Sequence, residues 1–319
     1  GIKDAEKILK ADLKTPEEIL TNLTWLVEQT QRHFTIRTGA QERWEVAATE
    51  WMKKPEDQQA ILAALETLGL TTEVPPTLKH RDLIVIFGAR NSIMKLRLKY
   101  AGDLFAEGKL DADKLVLLAG ERYVTVDEKG ESIDGSATEL TAIAAAAHKE
   151  LKMLTETDLI VDSYNKSSLF AKLPMQVVDT PRGELPRPTT ETTLRQLIID
   201  CLNKYEDITD ITFVSNQPHV DYQESVTDIV LNIPGAIKDG RELKIEVIGP
   251  GFELSPGPDH SKDIKDLVGA LGSRLYAKTP KVVAKLNLDV KDPAVKQKFV
   301  SLFEKQQLIL QNARSVLKL

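Results

Sequence analysis

The sequence predicts an α/β protein, with a mostly parallel sheet covered by helices on both faces and an all-helical segment ahead of it. Three observations carry this reading. After residue 80, short apolar runs rich in β-branched residues alternate with longer stretches of helical period. A strand that is apolar on both sides must be covered on both sides, which is the situation of a parallel sheet. Before residue 70 the apolar spacing is helical instead, and a proline pair within Leu70-Thr71-Thr72-Glu73-Val74-Pro75-Pro76-Thr77 separates the two regimes. The expected organisation is therefore a helical subdomain over 1–78 and an α/β domain over 79–319.

In the first part, Ile19, Leu23, Leu26 and Val27, then Trp44, Ala47, Ala48 and Trp51, then Ile61, Leu62, Leu65 and Leu68 fall at helical intervals. Thr15-Pro16-Glu17-Glu18 supplies an N-cap threonine, a first-turn proline and an acidic third position. Lys54-Pro55-Glu56-Asp57 ends one helix and begins the next. In the second part, strands are expected at Leu83 to Gly88, Leu115 to Ala119, Leu159 to Val161, Gln176 to Asp179, Ile211 to Val214 and Leu243 to Ile248. Helices are expected from Ser92 to Glu107 and near 137–153, 190–204, 219–230 and 261–276. The terminal stretch Pro293 to Leu317 places Val295, Phe299, Leu302, Phe303, Ile309 and Leu310 on one stripe, an amphipathic helix that packs on the domain or on a protein partner.

Composition sets bounds on function. The chain has 319 residues, 42% of them apolar, enough for a real core. With 48 Asp and Glu against 42 Lys and Arg, the net charge of −6 gives little electrostatic support for gripping a phosphate backbone, so nucleic acid is not an expected partner. The single cysteine, Cys201, excludes an internal disulfide and a cysteine-rich zinc site. No stretch approaches the roughly 18 apolar residues that span a bilayer. A membrane is not expected, and a cytoplasmic setting is. No phosphate-loop lysine motif, His-Glu-x-x-His or Gly-x-Ser-x-Gly elbow occurs, so no metal is expected. Gly249-Pro250-Gly251 follows a strand but leads into no helix, which rules it out as a dinucleotide fingerprint.

Ligands of open parallel sheets bind beyond the carboxyl ends of the strands. The residues expected there are Gly88, Arg90 and Asn91; Gly120, Glu121 and Arg122; and Ser215, Asn216 and His219. On a helical wheel, Arg97 falls among Ile93, Met94, Tyr100, Ala101 and Leu104 on the inward stripe of its helix. Helical side chains lean toward the N-terminus, so its guanidinium is expected under the loop from Gly88 to Asn91. A buried guanidinium needs a partner. Either an anionic ligand or an internal carboxylate, Glu121 or Glu139, meets that need. Glu139, Thr190 and Glu191 open two further helices toward the same edge, where capping is the plainer explanation. Glycines at 88 and 120 would admit close backbone approach by a ligand. His219 is the expected acid–base group of this edge.

The ordered series Leu83 to Gly88, Arg97, Leu115 to Gly120, Glu139, Thr190-Glu191 and Val214-Ser215 with His219 resembles the bacterial YdcF and SanA type of domain of unknown function. Ser136-Ala137-Thr138-Glu139 stands where that family has Ser-Glu-Ala, Thr192 where asparagine is usual, and Tyr222 where an arginine is common. The resemblance covers roughly residues 81–250. It implies a Rossmann-like α/β fold with a pocket at the strand ends and a nucleotide-like ligand such as S-adenosylmethionine.

Three functions follow as expectations. The first is binding of a small anionic or nucleotide-like molecule by Gly88, Arg90, Asn91, Arg97, Gly120, Glu121, Arg122, Thr190 and Ser215. The second is hydrolysis or group transfer, with His219 and the carboxylates Glu139 and Glu191 as the catalytic set. The third is an interaction scaffold that docks a protein partner through its N-terminal and C-terminal helices.

Overall fold

The computed structural model describes residues 48–124, 132, 134–167, 170, 173–185 and 187–286, together with Glu18, Thr21, Asn22 and residues 25–27. The Thr15 cap, the stripe begun by Trp44 and the terminal stripe after Pro293 lie outside these residues. The chain forms two compact units. One spans Glu66–Glu253, and the other joins the described residues up to Leu65 to the described residues from Leu254. The division expected at 78/79 therefore stands against observed divisions at 65/66 and 253/254. Residues 66–78 belong with the sheet because they bond to it: Val74 and Gly249 exchange backbone hydrogen bonds of 2.9 and 3.0 Å. Thr77 donates to Glu246, and the Tyr100 hydroxyl donates to Glu73.

The sheet unit holds β1 (His80–Phe87), β2 (Asp111–Gly120), β3 (Met175–Thr180), β4 (Asp210–Val214) and β5 (Lys244–Ile248), all parallel in the order β3-β2-β1-β4-β5. In the register Ile86 lies opposite Leu117 on one side and Val214 on the other. This is the Rossmann-like arrangement. Helix α2 (Asn91–Ala106) follows β1, and α3 (Ala137–Ala146) and α4 (Glu156–Asn165) lie between β2 and β3. These three pack on one face, where Met94, Leu98, Leu140, Ile143, Leu159 and Ile160 meet Ile84, Ile86, Leu115 and Leu117. Each such buried side chain contributes about 1.5–3 kcal/mol. Helix α5 (Thr190–Leu197), continued by a π-helical turn over Ile198–Leu202, packs against α6 (Val220–Leu231) beyond the other face.

Two expected elements differ. Leu159 to Val161 is no strand but the middle of α4. Thr155 and Asp158 form a reciprocal capping box, and Leu159 and Ile160 then face the sheet with helical spacing. The helix expected over 137–153 ends at Ala146 because His148 adopts a φ of 54°, and a short 3-10 turn, Leu151–Met153, follows.

The second unit holds α1 (Pro55–Thr67) as far as Leu65, and this helix begins at the expected proline. Its buried Gln58 donates to Met52 O (2.9 Å) and Asp259 Oδ1 (3.2 Å) and accepts from the His260 amide (3.0 Å). His260 and Ser255 both meet Asp263 at the start of α7 (Ser261–Leu286), so His260 belongs to a helix start. Among the described residues no helix is long and apolar enough to cross a membrane.

Candidate functional site

The crossovers reverse direction between β1 and β4, so the carboxyl ends of these strands flank the switch point of the sheet, the usual ligand crevice of open α/β folds. Arg97 lies beneath it. The side chain leans back from α2 as expected and is 2% exposed. Nη1 donates to Phe87 O (2.8 Å) and Gly88 O (2.9 Å). Nε and Nη2 both donate to Asn216 Oδ1, at 2.9 and 2.7 Å. Burial lowers its pKa to about 10, against the pull of the Glu156 charge, so it stays a cation at neutral pH.

No carboxylate among the described residues forms an ion pair with Arg97. The expected internal partners are engaged elsewhere. Glu121, beyond the end of β2, accepts the Arg182 amide at 3.0 Å. Glu139 in the first turn of α3 meets Lys95 at 2.6 Å and Asn91 at 3.4 Å, and the lysine holds its carboxyl below the ordinary range. Neutral oxygens satisfy the guanidinium, and its charge is balanced only at a distance.

A second cluster sits beside it over the ends of β1 and β2. Arg122 is 8% exposed and grips buried Asp134 with Nη2 (3.0 Å) and Nη1 (3.4 Å), while its Nε donates to Glu156 Oε2 (3.1 Å). Asp134 also accepts the Asn91 amide at 3.3 Å, so a protein carboxylate occupies the anion-attracting first turn of α2. Asn91 Nδ2 donates to Asp134 O (2.8 Å), and Ser163 donates to Asn91 Oδ1 (3.3 Å). Burial works against the Arg122 charge, but Glu156 and Asp134 outweigh it and raise its pKa. For Glu156 the balance falls the other way. Burial pushes its carboxyl above the ordinary range despite Arg122, Arg97 and Arg187 nearby.

Both strand-end glycines make room for the protein's own atoms. A Cβ at Gly88 would lie 2.0 Å from Glu156 Oε1, and one at Gly120 would lie 2.7 Å from Pro188 Cγ and 2.9 Å from Thr180 O. Of the other expected residues, Ser215 is fully buried, with its amide on Ile248 O at 2.8 Å. His219 is half-buried at the N-cap of α6, its amide on Asn216 O at 2.8 Å. Arg90 occupies the N-cap of α2, and its carbonyl accepts the amides of Ile93 and Met94. Thr190 opens α5 and accepts from the Thr193 hydroxyl, and Glu191 pairs with Arg195 one turn on.

The structure thus gathers Gly88, Asn91, Arg97 and Arg122 into one network, with Glu139 at its rim. Glu156, Asp134 and the acceptor role of Asn216 are absent from the sequence reading. The threonine–aspartate cap at 155–158 was the one local sign that Glu156 opens a helix at this edge. At the opposite, amino edge of the sheet, exposed His80 and Asp113 and half-buried Asp82 bring possible metal-ligand atoms within 4.8 Å of one another. Comparison with family models, curated proteins and solved structures finds no match to this chain.

Proposed function

We propose that the chain binds a small anionic, nucleotide-like molecule at the carboxyl ends of β1 and β4, in a reducing, cytoplasmic setting, and that it is kin to the YdcF and SanA type of domain. One observation carries the binding proposal: a permanently charged guanidinium lies at the switch point with no carboxylate in ion-pair contact among the described residues. Its hydrogen bonds to carbonyl and amide oxygens fix it in place without cancelling its charge. In a low-dielectric crest that charge attracts an anion far more strongly than in water. Arg97 acts through its field and through the strand ends it holds, since four of its five donors are used within the protein. The kinship rests on the order of motifs along the chain together with the strand order and the inward arginine.

Thermal unfolding of the full chain with nucleotides, S-adenosylmethionine and sugar phosphates tests the proposal. A member of the right class at 100 times its dissociation constant adds about 2.7 kcal/mol and moves the midpoint by several degrees. No shift with any of these classes overturns it.

A further inference from the structure

We infer that the site, if it takes an anion as proposed above, selects a tetrahedral oxyanion that carries its own hydrogen, a phosphoryl group in its hydrogen-bearing form, and discriminates against sulfate. Glu156 is the residue that makes this choice. Its side chain is 13% exposed, so it is enclosed but within reach of a small solute. One carboxylate oxygen, Oε2, is held by Arg122 Nε at 3.1 Å. The other, Oε1, accepts no hydrogen bond among the described residues and lies against Gly88, at the point where β1 runs out.

The surroundings fix what can bind there. The charges of three arginines from separate segments act on Glu156: Arg122 from the segment after β2, in direct contact, Arg97 from α2 and Arg187 from the segment before α5, with Asp134 on the far side of the Arg122 guanidinium. These cations favour an anion, while the carboxylate between them repels one. An oxyanion bearing an O–H escapes the conflict, because it donates that hydrogen to Oε1 and turns repulsion into a charge-assisted hydrogen bond. Monohydrogen phosphate has such a hydrogen at neutral pH. Sulfate has the same shape and charge but none, and it meets Oε1 oxygen to oxygen. An acceptor that the wrong ligand covers without pairing is the kind of feature that gives large discrimination between otherwise similar molecules.

The test is equilibrium dialysis of the full chain against inorganic phosphate and against sulfate at pH 7 and fixed ionic strength, with wild type and Glu156→Gln. The expected result is phosphate binding at least tenfold tighter than sulfate in wild type, narrowing to within about threefold in Glu156→Gln, whose amide can donate to either anion. Equal binding of the two anions by wild type overturns the inference and leaves the anion site standing. An unchanged preference in Glu156→Gln removes the role from Glu156. Neither anion binding to wild type fails the site itself. A variant-free check uses methyl phosphate, whose monoanion loses its remaining proton near pH 6. Its affinity should fall as pH rises from 5 to 8, and a flat or rising profile overturns the inference.

Discussion

Asn216 and Arg97, 119 residues apart, lock the ends of β4 and β1 together: one amide oxygen accepts both Nε and Nη2 of the guanidinium, at 2.9 and 2.7 Å. The amide is itself oriented, because its Nδ2 donates to Gln217 O at 2.6 Å. Asn216→Ala strands two buried donors of a cation, so it should destabilise the fold by roughly 1–3 kcal/mol. Urea unfolding measures this, and a change under 0.5 kcal/mol means that water replaces the amide at no cost.

Gly88 and Glu156 are a steric pair. The φ of Gly88 lies outside the left-handed region, so only space requires glycine there, and a Cβ would stand 2.0 Å from Oε1. Gly88→Ala should cost about 1–3 kcal/mol by overpacking. Combined with Glu156→Ser the cost should fall but not vanish, since the Cβ would still lie 3.0 Å from Ala119 Cα, giving a non-additive double-mutant cycle. Strict additivity would show that the alanine disturbs something other than Glu156.

Thr155 tests the element that the sequence hid. Its hydroxyl and amide both bond Asp158 Oδ2, at 2.9 and 2.8 Å. Thr155→Ala should weaken the unit by about 0.5–2 kcal/mol, and amide exchange should rise first in α4. Unchanged exchange in α4 would mean that packing of Leu159 and Ile160 alone holds the helix.

The same residues show what could be read from sequence. The run Leu159-Ile160-Val161 is three residues long, and so short an apolar run fits a strand and a buried helix turn equally. The apolar runs read at Leu83 to Gly88 and Leu115 to Ala119 are longer and overlap strands of 8 and 10 residues. The inward face of Arg97 was legible because helical periodicity is local. Its partners were not, because Asn216 lies beyond two crossovers and Glu156 sits on a helix that the strand assignment erased. Asp134 lacked any local pattern, since its role arises only where the segment after β2 meets the start of α2.

At the amino ends of the strands, buried Arg81 pairs with Glu246 at 2.6 Å, with Thr212 and Thr77 on the same carboxylate. Burial favours the neutral acid, but the bonds from Thr212, Thr77 and Arg81 win and lower the pKa below 4.5. A lowered folded pKa gives stability that is present above 4.5 and lost as pH falls through the folded value. Glu246→Gln should therefore destabilise at pH 7 and lose its penalty in acid. Urea midpoints at pH 3 and pH 7 check this, and an equal deficit at both would locate the effect in packing.

Glu156 should show the opposite dependence. Its pKa is raised above the ordinary 4.5 because burial outweighs Arg122, Arg97 and Arg187. With a raised folded value the native state binds more protons than the unfolded state across the window that opens at about 4.5 and closes at the folded pKa. The favourable contribution of the protonated acid is full below that window and lost as pH rises through it. Glu156→Gln keeps a neutral, isosteric side chain throughout. Relative to wild type it should gain stability as pH rises above about 4.5 and level off once pH passes the folded pKa. Parallel urea titrations of the two proteins give the difference curve. A difference that falls with pH would mean that the three guanidiniums outweigh burial and hold the carboxyl below the ordinary range.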